Sequence, residues 1–356
     1  MVGNRTKVNK SLSVSFLLCL FVCSWTLVLT SCSNDTKHPD VDHITIDLRT
    51  ARLDRDLAAL DTNNLTQGLS KLNEEYPLFL NFYLDTLMGF GVHGNYSMSA
   101  EAMQKGLQPF LSHPDIRGLF DTVQHHFPDT KAIDEQLVMG FKYLRHYYPE
   151  QPVPKVVYFI SGLNQWSAIT YDTLVVGVGL DMYLGPQYPF YAAVQIPEYV
   201  VRKCSPEYIP VNVFQAIYRD KHPFEMEERT LLDMMIQRGK EQYFLERIVP
   251  FTEEHERFGF TKEQLEWCEQ NEAEIYNFFV SQNLLYETNW QKIVRYVNDG
   301  PSATGMPLES PGNIGTWLGY RILMEYSDKH SDLSMQELFQ VRDAQKLLQD
   351  AKYKPR

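Results

Sequence analysis

The chain contains few cysteines, five among its 356 residues. Cys19 and Cys23 lie in an N-terminal apolar run, and Cys32 follows directly after it. This leaves Cys204 and Cys268 for the folded part, and two cysteines do not make a disulfide-built scaffold. We therefore expect both to be structural core residues, and their sequence context leaves open whether they pair.

Basic residues are outnumbered by acidic ones, 33 to 45, and the formal net charge is -12. Removal of residues 1–31 would take away three basic residues and no acidic one, which changes the charge to -15. A surface of this sign repels nucleic acids and anionic lipid headgroups. We therefore predict no nucleic-acid partner. Electrostatic attraction to anionic lipid is also excluded as the means of any membrane attachment.

The first 31 residues have the composition of a targeting segment. Three basic residues precede an apolar run from Leu12 to Leu29, and small residues precede Cys32. This is a bacterial lipobox pattern, in which the cysteine is lipidated and becomes the new N-terminus. An uncleaved anchor is the alternative, because the run is close to the roughly 20 residues that span a bilayer. Either interpretation places the remainder in an envelope compartment, held at a membrane.

No linker rich in serine, glycine or proline divides the chain after residue 31. The simplest organisation is a single large domain with an appended N-terminal part. We predict a lipoprotein signal peptide at 1–31, a polar tether at 32–43 and one α+β domain at 44–356. The part from 44 to 150 has mainly helical patterns, so the predicted domain is helix-dominant.

β-strand patterns are concentrated in one region, about 151–180. Residues 156–160 have the pattern of a buried strand, and residues 168–179 that of a hairpin turning at Asp172 and Thr173. Ile44, Ile46 and Leu48 alternate with polar residues and indicate one further half-buried strand. Helical patterns then fill the chain from residue 188 onwards, including one predicted helix over 261–286. A small sheet among many helices is the expected architecture.

The sequence lacks the residue spacings of common hydrolases. A small sheet followed by core helices raises the question of a zincin-type protease, which needs two histidines one helical turn apart and a glutamate that activates water. His255 and Glu256 begin such a motif, but Gly259 stands at the position of the second histidine. Neither a nucleophile elbow nor a phosphate-binding glycine loop is present in the sequence. We therefore predict no metal, no cofactor and no catalytic residue.

A loop rich in glycine and proline is the least generic part of the chain. Five glycines and three prolines fall between Gly300 and Gly319, which enforces a tight, irregular path before a helical pattern resumes. Such a loop is a rigid crossover that caps the next helix, or part of a functional site. Glu309 in this loop is an acid, a base or an acceptor that locks the loop, and we favour the last.

Several segments carry a family resemblance. They include residues 179–185, 246–250, 267–272 and 284–288, and the more specific segments are RYVNDGP at 295–301 and GMPLESPGNIG at 305–315. With the lipobox, they make the chain similar to the gliding-motility lipoprotein GldB family of Bacteroidetes. The resemblance implies an envelope lipoprotein of the gliding machinery and of the protein secretion associated with it.

A more distant resemblance connects the chain with predicted zinc proteases. Those relatives carry an HExxH motif, but residues 207–217 of this chain hold no histidine, and Arg238 stands near the position of a further acidic residue. A cation there opposes metal binding. The resemblance therefore implies a zincin-like scaffold that has lost its metal and is reused for binding.

The former active-site region is then the expected binding cleft for another envelope protein. We predict that it contains five residues: Tyr183, Arg238, Glu309, Asn313 and Trp317. One alternative is a hydrolase that uses Glu309 with a histidine. Another is a glycan-binding or peptidoglycan-binding lipoprotein that uses Trp317 or the aromatic cluster at 188–191. We expect the lipid on Cys32 to anchor the protein at the outer membrane, facing the periplasm.

Overall fold

The computed structural model describes residue 3 and residues 38–164, 167–223 and 229–356. Cys32 and almost all of the predicted signal peptide therefore lie outside the described residues. From Asp40 to Arg356 the chain forms one compact unit. Within the described ranges, we find no helix with the length and apolarity that a membrane span requires.

One mixed sheet of four strands lies in this unit. In chain order the strands are β1 (Thr50–Arg52), β2 (Lys155–Phe159), β3 (Ala168–Tyr171) and β4 (Val175–Gly179). The spatial order is β1-β2-β4-β3; β2 is parallel to both of its neighbours, and β3 is the antiparallel edge strand. Every residue of β4 and all but the first of β2 are buried, which explains their continuous apolar sequences. The predicted sheet and hairpin are confirmed.

The predicted N-terminal strand is displaced. Ile44, Ile46 and Leu48 are half-buried and alternate with exposed residues, as their pattern indicates, but their backbone is irregular. The strand itself is β1, whose three residues follow this stretch and pair with β2. Alternation reports which side chains face the core, whereas a strand also needs a neighbouring strand for its backbone hydrogen bonds.

The hairpin between β3 and β4 turns through two residues with left-handed backbone. Asp172 has φ +52° and Thr173 has φ +53°. Asparagine, aspartate and glycine tolerate this conformation, but a β-branched residue is strained in it. We expect Thr173→Gly to raise the free energy of unfolding by about 1 kcal/mol, measured by urea denaturation. Thr170→Gly, in the middle of β3, is the control and should destabilise the protein; a loss of stability with Thr173→Gly would contradict this account.

Helices fill the long connection between β1 and β2. They are α1 (Leu53–Ala58), α2 (Leu65–Glu75), α3 (Leu80–Phe82), α4 (Gln108–Ser112), α5 (Pro114–His126) and α6 (Lys131–Tyr147), with π-helical turns at Tyr83–Leu87 and Met103–Leu107. Their apolar faces pack around the sheet; Phe79 and Tyr83, for example, contact Phe159 of β2. The N-terminal third is therefore helical, as predicted.

Helices also form most of the chain after the sheet. They are α7 (Pro189–Ala193), α8 (Glu198–Val201), α9 (Tyr208–Lys221), α10 (Leu231–Ile248), α11 (Glu254–Phe258), α12 (Lys262–Gln270), α13 (Glu272–Ser281), α14 (Trp290–Ile293), α15 (Ile314–Lys329), α16 (Met335–Gln340) and α17 (Ala344–Ala351). The helix predicted over 261–286 is two helices, because the backbone breaks at Asn271. Helix-dominant α+β is confirmed as the fold class.

The helices α10 and α15 pack against each other at the centre of this half. α10 is buried on almost all sides, and it begins with a capping box between Thr230 and Asp233. The two helices meet at Gly239 and Gly319, where the backbones are too close to admit a side chain on either residue. This contact fixes α10 relative to α15 and to the loop that precedes α15.

Both cysteines of the folded part are buried and free. Burial raises the pKa of the Cys204 thiol to about 11, and it raises the pKa of Cys268 still further. Buried thiols with raised pKa values behave as small apolar core groups. Cys204 and Cys268 therefore do not form the disulfide bond that the sequence left open.

Candidate functional site

A polar cavity of about 550 Å³ lies among α9, α10, α11 and the start of α15. Three residues of α9 line it at helical spacing: Asn212, Gln215 and Arg219. α10 contributes Arg238, Glu241 and Gln242; α11 contributes Glu256 and Arg257; and the loops contribute, among others, Tyr183, Tyr199, Lys203, Asn298, Asp299 and Asn313. The lining is thus dominated by groups that form hydrogen bonds.

Glu241 is the centre of the ionic contacts in this cavity. Its carboxylate, almost fully buried, accepts two hydrogen bonds of 2.9 Å from Arg219, through Nε and Nη2. It also accepts bonds from Arg238 Nη1 at 3.1 Å and from Gln215 Nε2 at 2.5 Å. Burial by itself raises the pKa of Glu241, but these partners outweigh it and lower the pKa below its usual range. The carboxylate therefore stays ionised and its oxygens are occupied.

The other two acids of the lining also have partners. Asp299 accepts a hydrogen bond from Lys203 Nζ and a longer one, 3.4 Å, from Asn313 Nδ2. Glu256 accepts the backbone N–H of Glu253 at 3.3 Å in the capping box that begins α11. Together with Glu241, all three carboxylates of the lining are bound within the protein.

Tyr183 is held on one wall of the cavity. Its hydroxyl accepts a hydrogen bond of 2.9 Å from Asn212 Nδ2, and burial raises its pKa far above the usual value. The nearby Asp181 ties this segment to the end of β2: its buried carboxylate accepts the backbone N–H groups of Ser161 and Leu163 and the Ser161 hydroxyl. Tyr183 is therefore a neutral wall residue that is buried and hydrogen-bonded.

The five residues predicted for the cleft do not all meet. Tyr183, Arg238 and Asn313 line the cavity. Trp317 is 1% exposed and lies on the part of α15 that faces the core, so it is not in the lining. Glu309 is exposed in its loop, also outside the cavity. Glu309, Asn313 and Trp317 are close in sequence, but of these three only Asn313 lines the cavity.

Ser310 makes the loop contact that we assigned to Glu309. Its hydroxyl donates to the Pro307 carbonyl at 2.6 Å and accepts the backbone N–H of Ala303 at 3.2 Å. Ser310 is fully buried, whereas its neighbour Glu309 is exposed. A short hydroxyl side chain reaches two backbone groups within the same turn, which a longer exposed carboxylate cannot do without burying its charge.

The aromatic cluster at 188–191 is divided between core and surface. Tyr191 is fully buried; its hydroxyl donates to the Asp181 carbonyl and accepts the Leu184 backbone N–H. Phe190 on the same short helix is 54% exposed. The two rings therefore do not form one exposed platform of the kind that stacks on a sugar.

Several important residues of the cavity were missed in the sequence. Arg219 and Glu241 are 22 positions apart and lie on different helices, so their pairing has no local signal. The spacing of Arg238 and Glu241, three residues on one helix, is a signal that was available. The chain segments that are described contain no group of three or more histidine, cysteine, aspartate or glutamate side chains arranged to hold a metal ion.

The fold and the cavity define a helix-dominant α+β protein whose C-terminal helices enclose a polar, ion-paired cavity. The chain belongs to the GldB family: the family described as gliding motility protein GldB matches residues 34–355. The resemblance to this family found in the sequence is thereby confirmed, and the family makes this chain a gliding-motility lipoprotein of the cell envelope. No curated protein and no solved structure matches it.

Proposed function

We propose that this chain is a non-catalytic, lipid-anchored component of the gliding machinery and the associated secretion, and that its polar cavity receives another envelope protein. The engagement of Glu241, the most buried carboxylate of the cavity, by two arginines and a glutamine is the observation that carries the proposal. A general base must be free to take a proton near neutral pH. Glu241 has a lowered pKa and four hydrogen bonds, so it holds charges in place instead of transferring protons.

A zincin-like origin of the scaffold belongs to the same proposal. α9 follows the sheet in the chain and packs on its antiparallel edge strand β3. In the distant relatives implied by the sequence, a helix in this region carries the histidines, whereas α9 presents Asn212, Gln215 and Arg219 to the cavity. Arg219 places a cation where a bound Zn²⁺ would need an anionic or neutral ligand. The scaffold then serves binding.

The location follows from the lipid on Cys32. We place the protein at the outer membrane, facing the periplasm, where the short tether from 32 to 43 holds the domain close to the lipid headgroups. The acidic balance of the chain opposes a second, electrostatic attachment to anionic lipid. The domain surface thus remains available to protein partners.

A charge reversal in the cavity tests this function in cells. Lys203→Glu breaks the contact with Asp299 and places two carboxylates together at the cavity wall. We expect cells that carry this variant to lose gliding, measured as single-cell speed and colony spreading, while the protein stays at normal abundance. Lys105→Glu is the matched control, because it also breaks one lysine–carboxylate pair, with Glu101, on an exposed surface elsewhere. Normal gliding of the Lys203→Glu cells would refute docking through the cavity.

A further inference from the structure

The charges of the cavity lining do not balance. Four cationic side chains line it, Lys203, Arg219, Arg238 and Arg257, against the three carboxylates of Glu241, Glu256 and Asp299. Glu241 is shared by two of the arginines, and Asp299 binds the lysine. Arg257 is the one cation of the lining that forms no ion pair with these acids. The cavity lining thus has the opposite sign of charge to the chain as a whole, whose net charge is -12.

Arg257 is deeply placed for a charged residue. It is 9% exposed, and its Nε is buried without a hydrogen-bond partner. Among the residues that the structure describes, it forms no ion pair within 4.0 Å. Burial of an ion is unfavourable unless a partner compensates for it. The folded protein therefore maintains an unfavourable arrangement at this position.

Glu254, on the same short helix, is an acidic residue near Arg257 that does not line the cavity. Burial raises the pKa of Glu254, and the attraction of Arg257 only partly reverses this effect. Burial likewise raises the pKa of the nearby Tyr320 hydroxyl, so this group is neutral. The Glu254 carboxylate and the Arg257 guanidinium do not form an ion pair within 4.0 Å.

Gln242 supplies a second unsatisfied group in the same lining. It is 4% exposed, and its Oε1 is buried without a hydrogen-bond donor. An unpaired amide oxygen in the interior is unfavourable, because it has given up its hydrogen bonds to water. The Arg257 guanidinium therefore lacks an anion, and the Gln242 amide oxygen lacks an N–H or O–H donor.

We propose that the cavity binds the C-terminal carboxylate of a peptide chain, with Arg257 as its charge partner and Gln242, after rotation of its amide, accepting a peptide N–H. The surplus of one positive charge matches a carboxylate, whereas a phosphate group carries up to two negative charges. The volume of about 550 Å³ lies within the range of cavities that hold small ligands. This inference rests on the proposed docking function and names the part of the partner that enters.

A pair of peptides that differ only at the C-terminus tests the inference. The full mature lipoprotein in detergent micelles is titrated with N-acetyl-trialanine as the free acid and as the C-terminal amide, followed by ligand-observed NMR. We expect the acid to bind and the amide to bind at least about tenfold more weakly, because one charge-assisted contact is lost. Equal binding of the two peptides, or displacement of the acid by an equal concentration of inorganic phosphate, would overturn the inference.

Variants of Arg257 separate a binding role from a structural one. Arg257→Gln should weaken binding of the free acid about tenfold or more, and Arg257→Lys should weaken it less, because the charge remains and the planar fork is lost. Without peptide, Arg257→Gln should unfold at the same or a higher urea concentration than the wild type, because a buried unpaired charge is removed. A clear decrease in the unfolding midpoint would show that Arg257 is a structural residue and would overturn the inference.

The two proposals fail in different experiments. If Lys203→Glu abolishes gliding but the wild-type protein does not distinguish acid from amide, docking stands and the carboxylate ligand is wrong. If the wild type selects the acid but Lys203→Glu cells glide normally, the carboxylate site stands and its role in gliding is wrong.

Discussion

Replacement of Glu241 by glutamine is expected to lower the free energy of unfolding by about 3 kcal/mol, measured by urea denaturation. The variant leaves Arg219 and Arg238 without the carboxylate to which both donate. We take the low end of the usual 3–5 kcal/mol for a broken buried pair, because the Arg219 side chain is about half exposed and water compensates part of its charge.

The Glu241 contribution should also depend on pH in a defined direction. Its pKa is lowered in the folded protein, so the folded state binds this proton less readily than the unfolded state. The stabilisation is therefore complete above the pKa of an unfolded glutamate, about 4.3, and is lost as the pH falls through the lower folded value. The difference between wild type and Glu241→Gln should shrink at acidic pH.

Glu309→Gln is the control for Glu241→Gln. It makes the same chemical change on an exposed loop residue and should alter the free energy of unfolding by less than about 0.5 kcal/mol. Equal effects of the two substitutions, or a Glu241→Gln variant as stable as the wild type at neutral pH, would contradict the ionic centre that we describe.

Gly319→Ala is expected to destabilise the fold by at least about 3 kcal/mol, because the overlap is with backbone and not with a movable side chain. A Cβ on Gly319 would lie 1.9 Å from the Met235 carbonyl oxygen and 2.3 Å from its carbon. Since a Cβ on Gly239 would in turn lie 2.5 Å from the Gly319 carbonyl carbon, α10 and α15 must separate to accept either side chain. We expect little soluble protein, or an unfolding midpoint far below that of the wild type.

Gly118→Ala is the matched control for this substitution. Gly118 lies within the helix α5, and a Cβ added to it meets nothing within 4 Å. Alanine is about 1 kcal/mol better than glycine inside a helix, so this variant should be slightly more stable than the wild type. If both substitutions behaved alike, the close approach of α10 and α15 would not be essential to the fold.

Local sequence patterns predicted much of the secondary structure. The continuous apolar run of β2 and the turn at Asp172 and Thr173 both depend on residues close together in the chain. Each of these signals acts through a neighbouring side chain or a single backbone angle, so it can be read without knowledge of the tertiary structure.

The residues that line the cavity were harder to predict from the sequence, and Glu309 and Glu241 show why. Glu309 attracted attention because its loop is unusual, yet it is exposed and Ser310 makes the loop contact. Glu241 belongs to an ordinary-looking helical segment, yet it is buried and binds an arginine from another helix. Glycines and prolines in a loop predict its backbone path, whereas the role of a charged side chain depends on its neighbours in the tertiary structure.

The sequence by itself determined the acidic balance, the lipobox, the helix-dominant α+β class and the family, because all of these are carried by composition or by contiguous residues. Only the tertiary structure decided that Trp317 belongs to the core, that Cys204 and Cys268 stay apart, and that Arg257 is left over among paired charges. The physical reason is that burial and charge pairing are properties of residues distant in the chain, which meet only when α9, α10, α11 and α15 pack together.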